Sequence, residues 1–181
     1  LIKRTYLEFF FLTNIMAKPS CYFTSVQKKY NGIDWNPEEK INLWKEGRTG
    51  FPIIDAGMRQ LNKTGYMHGR VRMLTASFLV KNMGIDWRLG EQYFAEKLMD
   101  FDLASNNGNW QWVAGTGCDA APYFRIFNPV TQQKQYDPNL IYCKKYIDDF
   151  DSYAKNIEPI IDLKLTRMES IERYKRCLNN E

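Results

Sequence analysis

The chain contains 181 residues, of which 44% are hydrophobic and 15% aromatic, and this length suits a single domain with a sizeable core. Its net charge of +4 permits a polyanionic partner such as nucleic acid without requiring one. The four cysteines have no CxxC spacing and there is one histidine, so no metal site is predicted, and the lack of a long apolar run or a signal peptide argues against a membrane or secreted protein.

Helical signals follow one another along the first half of the chain. Asn36 is a candidate N-cap followed by Pro37 and two acids, and Pro52 and Gly65 are typical of a helix start and stop. Apolar residues recur at helical spacing between these signals. The predicted helices are residues 4–16, 36–47, 52–65, 68–82 and 87–99.

The chain becomes less regular after Gly117. Pro122, Pro129 and Pro138 punctuate it, and the polar residues 131–135 are predicted to form a turn or loop. Residues 138–150 are predicted to be helical, residues 151–166 to form a connector, and residues 168–178 to form an amphipathic helix. No strand pattern of useful length and no repeat is found. We therefore predict one all-α domain over residues 1–181, with a loop-rich C-terminal third.

One stretch combines acids, amides and indoles. Asp100 and Asp102 are followed by an Asn-Asn-Gly-Asn-Trp-Gln-Trp run over residues 106–112. Residues 64–73 add two arginines and the histidine, and residues 119–129 add an arginine among aromatic residues. Two carboxylates, several amides and two indoles predict a pocket for a large, flat aromatic ligand.

Three segments carry a resemblance to a known family. They are Lys-Glu-Gly-Arg-Thr-Gly-Phe-Pro-Ile-Ile-Asp-Ala-Gly-Met-Arg-Gln-Leu over residues 45–61, residues 104–112, and residues 123–129. On these segments the chain resembles the helical FAD-binding catalytic domain of the DNA photolyase and cryptochrome family, most closely microbial class I cyclobutane-pyrimidine-dimer photolyases. The resemblance implies FAD as cofactor, UV-damaged DNA as substrate, and a location in the cytoplasm or nucleus, wherever the DNA is.

The resemblance implies a set of cofactor contacts. Arg72 and Asp100 would form an ion pair beside the flavin ring, Phe101 and Asp102 would contact the cofactor, and Asn106 would place its amide near flavin N5. A carboxamide suits that position because it can donate a hydrogen bond or accept one. The alternative is a partly buried ion pair and a helix cap without a cofactor.

The resemblance also implies an electron-transfer chain and a DNA surface. Trp110, Trp87 and Trp35 would carry an electron stepwise towards the flavin, and matching Trp35 requires a one-residue gap. Core aromatic residues and solvated arginines are the alternatives. An aromatic wall would receive a flipped dimer, and arginine forks would engage phosphate. The residues implied in DNA binding are Arg4, Arg70, Met73, Trp112, Arg125 and Gln132.

Several departures from the family pattern leave three hypotheses open. Lys3 stands where the family usually has a tryptophan, Gly69 where it has an asparagine, and Phe101 where it has a small residue that leaves room for the ring. The chain starts at Leu1, and the family's antenna domain and phosphate-holding segment are absent, so a C-terminal fragment is expected. The hypotheses are a repair lyase, a cryptochrome-like signalling or DNA-binding module, and an inactive fragment that needs a separately encoded N-terminal part.

Overall fold

The computed structural model describes residues 28–117 and 120–179, and all regular structure within these ranges is helical. Short 3₁₀ turns at Lys28–Tyr30 and Glu38–Lys40 precede the longer elements. The α-helices are α1 (Ile41–Lys45), α2 (Pro52–Thr64), α3 (Gly69–Ser77), α4 (Trp87–Lys97), α5 (Leu103–Ala114), α6 (Pro129–Tyr136), α7 (Ile141–Tyr146), α8 (Phe150–Asn156) and α9 (Leu163–Asn179). The prediction of an all-α fold is confirmed.

Helix α2 lies at the centre of the fold, packed against α3, α6 and α7. Pro52 occupies its first turn, and Gly65 ends it in the left-handed region at φ 67°. Gly57 brings α2 very close to α3, because a Cβ atom at this position would lie 2.5 Å from Cγ1 of Val71. The next segment, α3, continues into a π-helical turn over Phe78–Asn82 whose residues are all buried.

Helices α4 and α5 pack against each other and carry much of the predicted site. Each begins with an aspartate that caps it: Asp86 accepts from the backbone N–H of Arg88, and Asp102 from that of Ser105. The contact between the helices is close, since a Cβ atom at Gly90 would lie 2.2 Å from Cη2 of Trp110.

A buried carboxylate joins the loop before α2 to helix α8. Asp55 is fully buried and accepts hydrogen bonds from the N–H and hydroxyl of Thr49, the N–H of Gly50 and the hydroxyl of Tyr153. Burial raises the pKa of Asp55, and the hydrogen bonds from Thr49 and Tyr153 oppose this rise. Four donors around one carboxylate hold this loop in a single arrangement.

Helix α9 closes the fold over a second buried cluster, in which Tyr174 packs against Tyr30 and Cys177. The Tyr174 hydroxyl donates to the carbonyl of Ala114, at the end of α5. Lys81 donates to the same carbonyl from Nζ, 2.9 Å away, and Nζ lies 3.6 Å from the centre of the Tyr174 ring. Because Lys81 is fully buried, its pKa is lowered well below the ordinary value.

The C-terminal third is more helical than predicted. Residues 131–135, predicted to form a loop, belong to α6, because Asn128 accepts from the N–H groups of Val130 and Thr131 and Pro129 fills the first helical position. The predicted connector at 151–166 contains most of α8 and the start of α9. In both places the helices are rich in polar residues, so the sequence pattern resembles that of a loop.

Other predicted boundaries were also wrong. Asn36 does not cap a helix, because its Nδ2 donates to the carbonyl of Met83 and the chain begins a 3₁₀ turn after Pro37 instead. Residues 138–150 form only α7, since the chain becomes extended at Ile147 and left-handed at Asp149, φ 50°. Helix α5 was not among the predicted helices. The predicted helix at residues 4–16 lies outside the described residues.

Among the described residues, no helix is both long and apolar enough to cross a bilayer. In the same ranges no three His, Cys, Asp or Glu side chains come together in an arrangement that would bind a metal ion.

Candidate functional site

An ion pair at the protein surface links α3 to the segment before α5. Nη2 of Arg72 lies 2.9 and 2.8 Å from the two carboxylate oxygens of Asp100, and Nε donates to the carbonyl of Met67 at 2.6 Å. The side chains keep 26% and 51% of their surface exposed, so the pair remains accessible from solvent. The structure therefore brings together the two residues whose pairing the family resemblance implied.

Exposed apolar side chains lie close to Asp100 in the sequence, on both sides of it. Met99, Phe101 and Leu103 are exposed, at 85%, 40% and 38%, and the guanidinium of Arg72 lies 5.5 Å from the ring centre of Tyr66, which is also exposed. Large apolar groups at the surface around a charged pair are typical of a site for an amphiphilic ligand. Phe101 keeps part of its surface free rather than filling the core.

Asp102 and Asn106 occupy the first turns of α5. Oδ1 of Asp102 accepts from the N–H of Ser105 at 2.8 Å, and the hydrogen bonds from Ser105 lower the pKa of Asp102. Nδ2 of Asn106 donates to both the backbone carbonyl and the carboxylate of Glu91, each at 3.0 Å. Burial raises the pKa of Glu91, an effect that the hydrogen bond from Asn106 opposes.

Glu91 fixes the orientation of the Asn106 amide. Its carbonyl and carboxylate both require a donor, so they hold the NH₂ end of the amide against α4. The amide oxygen is then the end that remains to meet a ligand. Glu91 was not among the predicted site residues, and it has no sequence signal because its role depends on the packing of α4 on α5.

Two of the three predicted electron-transfer tryptophans lie at the interface of α4 and α5. Trp110 is 2% exposed, and its ring makes edge-to-face contacts with Phe94 at 5.0 Å and Trp44 at 6.3 Å. Trp87 is fully buried and shares a face of α4 with Gly90, three residues later, which packs directly on the Trp110 ring. Trp44 and Phe94 complete this aromatic cluster and were not predicted.

The third tryptophan, Trp35, is half-buried and packs against the cluster around α9. Its ring centre lies 6.4 Å from that of Tyr174. The neighbouring Asn36 donates its backbone N–H to the carbonyl of Gly84 at 2.8 Å, and Gly84 precedes Trp87 by three residues. This backbone hydrogen bond thus links the residue after Trp35 to the turn that precedes Trp87.

Three of the predicted DNA-binding residues, Arg70, Trp112 and Arg125, take part in arginine–aromatic contacts at two places. The guanidinium of Arg125 lies 5.9 Å from the ring centre of Trp112 and 5.5 Å from that of Phe127. The guanidinium of Arg70 lies 4.0 Å above the ring of Tyr136, on α6.

Two predicted residues lie elsewhere among the described residues. Gln132, one turn before Tyr136 on α6, has a buried Oε1 without a hydrogen-bond partner in the described part of the chain. Met73 is half-buried against the main core. Arg4 lies outside the described residues.

Lys81 is a fully buried amine that was not among the predicted site residues. It stands between Val80 and Asn82, at the end of the apolar run Phe78-Leu79-Val80. A lysine within such a run is a recognisable signal, because lysine is almost never fully buried without a specific partner.

Comparisons with known proteins agree with one another. The family described as the FAD binding domain of DNA photolyase matches residues 1–175. The deoxyribodipyrimidine photo-lyase of Vibrio cholerae is 58% identical over 120 residues, which are 66% of this chain and 26% of that protein.

Two solved structures have the same fold. A bacterial class III photolyase from Agrobacterium tumefaciens has a TM-score of 0.86 at 34% identity, over 98% of this chain and 42% of that one. An archaeal photolyase from Sulfolobus tokodaii with two FAD molecules has a TM-score of 0.83 at 43% identity, over 93% of this chain and 42% of that one. The chain therefore spans less than half the length of these relatives.

Proposed function

Because this chain belongs to the family of DNA photolyase FAD-binding domains, we propose that it binds FAD and takes part in the light-driven repair of cyclobutane pyrimidine dimers in DNA. The observation that carries the proposal is the solvent-accessible Arg72–Asp100 pair. Asp100 lies just before α5, and α5 carries Asn106, whose amide is oriented by Glu91.

The residues present fit a flavin. An isoalloxazine ring has apolar faces and a polar edge, and the accessible Arg72–Asp100 pair supplies polar groups next to the exposed Phe101 and Leu103. Asp102 is held ionised by the hydrogen bonds from Ser105 and offers an acceptor to a sugar hydroxyl. The free oxygen of the Asn106 amide would accept a hydrogen bond from a ring N–H.

When bound, FAD supplies light absorption and the one-electron transfer that splits a pyrimidine dimer. The protein supplies position and electrons. Trp110, Trp87 and Trp35 are proposed to pass electrons inward from the half-buried end of the series. Nε1 of Trp87 is buried and has no hydrogen-bond partner among the described residues.

We propose that UV-damaged DNA contacts the arginine–aromatic groups. Trp112, with Met73, would form the wall that replaces base stacking for a flipped dimer. Arg125 is exposed and keeps its guanidinium over Trp112, where it can bind phosphate. The other residues proposed to contact DNA are Arg4, Arg70 and Gln132.

The remaining contacts of FAD are proposed to come from a segment equivalent to the part of the relatives that this chain does not span. That segment would hold the FAD phosphates, and it would be encoded in the same polypeptide or separately. The antenna domain of the family is likewise proposed to lie outside residues 1–181. The protein would work in the compartment that contains DNA.

The test is a titration of the protein with oxidised and reduced FAD, alone and with a complementing N-terminal photolyase segment. Arg72→Ala and Asn106→Ala are expected to weaken FAD binding at least tenfold. Arg48→Ala, which removes an exposed arginine paired with Glu46 away from these residues, should leave binding unchanged. Blue-light repair of a dimer-containing oligonucleotide follows. No retained FAD under either condition refutes the proposal.

A second candidate is a cryptochrome-like flavoprotein without repair. Its support is Gly69, which replaces a family asparagine and leaves open space, since a Cβ atom there would meet nothing within 4 Å. Photoreduction of bound FAD without loss of dimers would favour this candidate, and gain of repair in Gly69→Asn would identify the missing contact.

A further inference from the structure

A guanidinium and the N-terminus of a helix lie close to the Trp87 indole. Trp87 is the first residue of α4, where the aligned backbone dipoles of the helix place a partial positive charge. The guanidinium of Arg88 lies 5.0 Å from the Trp87 ring centre. Both features disfavour removal of an electron from this ring, because the product is a cation.

Asp86 is the carboxylate that opposes these charges. It accepts from the N–H of Arg88 at 3.0 Å, and it pairs with Nη1 of Arg88 at 3.1 and 2.9 Å. The side chains of Asp86 and Arg88 are only 25% and 28% exposed, so water screens their field incompletely. The pair and the helix end therefore act together on a fully buried indole.

We propose that Asp86 is the counter-ion that allows Trp87 to carry a positive charge, and that the Asp86–Arg88 pair sets the rate at which electrons pass through this residue. The inference rests on the proposed electron-transfer role of Trp87. No other described residue both caps α4 and pairs with Arg88.

Electrons would move one at a time from Trp35 through Trp87 to Trp110. Trp110 would give one electron to the light-excited cofactor, which supplies the oxidant, and would become a radical cation. Trp87 then gives one electron to the Trp110 radical cation, which returns to a neutral indole, and Trp87 becomes the radical cation. Trp35 gives an electron to Trp87 in turn, and a thiol reductant in solution restores Trp35. These steps transfer electrons only and require no proton acceptor at Trp87, whose buried Nε1 has no hydrogen-bond partner among the described residues.

The test uses time-resolved absorption of the tryptophan radical in the FAD-loaded protein, with Asp86→Asn and Arg88→Met compared with wild type. Asparagine caps a helix as well as aspartate does, so Asp86→Asn removes the charge and keeps α4. We expect radical formation at Trp35 to slow at least tenfold in Asp86→Asn and to accelerate in Arg88→Met. The double variant should return to within about threefold of wild type.

A second ion pair of the same spacing provides the control. Glu46 and Arg48 are also two residues apart and pair at 3.1 Å, but they are 54% and 62% exposed. Glu46→Gln and Arg48→Met should leave the radical kinetics unchanged. In flavin-free protein, the near-ultraviolet circular dichroism of Trp87, taken as the difference from Trp87→Phe, should change in Asp86→Asn and not in Glu46→Gln, because nearby charge shifts indole transitions.

The outcomes separate the two proposals. If Trp87→Phe abolishes radical formation at Trp35 but Asp86→Asn matches wild type, the counter-ion role is wrong and the electron-transfer role stands. If Trp87→Phe leaves photoreduction unchanged, the electron-transfer role is wrong and the counter-ion role falls with it. An unchanged circular dichroism difference in Asp86→Asn also overturns the inference, whether or not the protein retains FAD.

Discussion

Replacing Lys81 with methionine should remove a pH-dependent contribution to the free energy of unfolding. Lys81 is fully buried, and its Nζ donates to the carbonyl of Ala114 and lies over the ring of Tyr174. None of the described acidic groups forms an ion pair with it. Burial therefore lowers the pKa of Lys81 in the folded protein, while in the unfolded chain the lysine keeps its ordinary pKa.

The sign of the effect follows from proton binding. Between the lowered pKa and the ordinary one, the unfolded state binds a proton that the folded state does not, so the free energy of unfolding rises with pH. The slope for one proton is about 1.4 kcal/mol per pH unit, which gives at most about 2.7 kcal/mol between pH 7 and pH 9. Methionine is unbranched, of similar length to lysine, and does not titrate.

The measurement is urea unfolding of wild type and Lys81→Met at pH 7, 8 and 9. The stability of the variant relative to wild type should fall as pH rises. The matched control is Lys97→Met, in which the lysine is exposed and lies over the ring of Tyr93. Parallel pH dependences for wild type and Lys81→Met would refute the argument, because they would mean that the buried amine keeps its proton at no cost.

Gly90→Ala should lower the free energy of unfolding by about 1–3 kcal/mol, because its Cβ atom would lie 2.2 Å from an indole carbon. Gly69→Ala, which meets open space, should be neutral or stabilising by up to about 1 kcal/mol, and equal effects in thermal unfolding would contradict the close helix contact. Asp55→Asn should cost about 3 kcal/mol in urea unfolding, since an NH₂ group would face donors; a loss under 1 kcal/mol would argue against it. Glu91→Ala should weaken FAD binding about tenfold by freeing the Asn106 amide, whereas Glu91→Gln keeps an acceptor and should stay within about threefold. Equal FAD dissociation constants for the two Glu91 variants would exclude the orienting role.

Helices with local signals at both ends were predictable. Helix α2 runs over Pro52–Thr64, where a proline start, a glycine stop and an apolar periodicity all agree. Helix α5 was missed because its polar run has no apolar stripe. Two of its amides, Asn107 and Gln111, pair with each other one turn apart, and Asn106 donates to Glu91 on another helix, a partner that the sequence does not reveal.

Tertiary contacts explain the other differences between sequence and structure. The Arg72–Asp100 pair spans 28 residues, so the resemblance to a family, rather than spacing, led to it. The break between α7 and α8 depends on Asp149 in the left-handed region, which its sequence neighbours do not require. The hydrogen bond from Lys81 to the carbonyl of Ala114 joins residues 33 positions apart, so it depends on the packing of the folded chain.

The double hydrogen bond to the Ala114 carbonyl has a consequence for synthesis of the chain. Tyr174 follows Ala114 by 60 residues, so a ribosome adding about 5–20 residues per second completes this contact roughly 3–12 seconds after α5 has been made. Until then the end of α5 has Lys81 as its only side-chain donor among the described residues. The helix that Asp102 caps and that carries Asn106 and Trp110 is thus completed by a contact from α9, which is translated later. A premature stop or proteolytic cut before Tyr174 would therefore disturb the proposed flavin site while leaving all of its own residues in the chain.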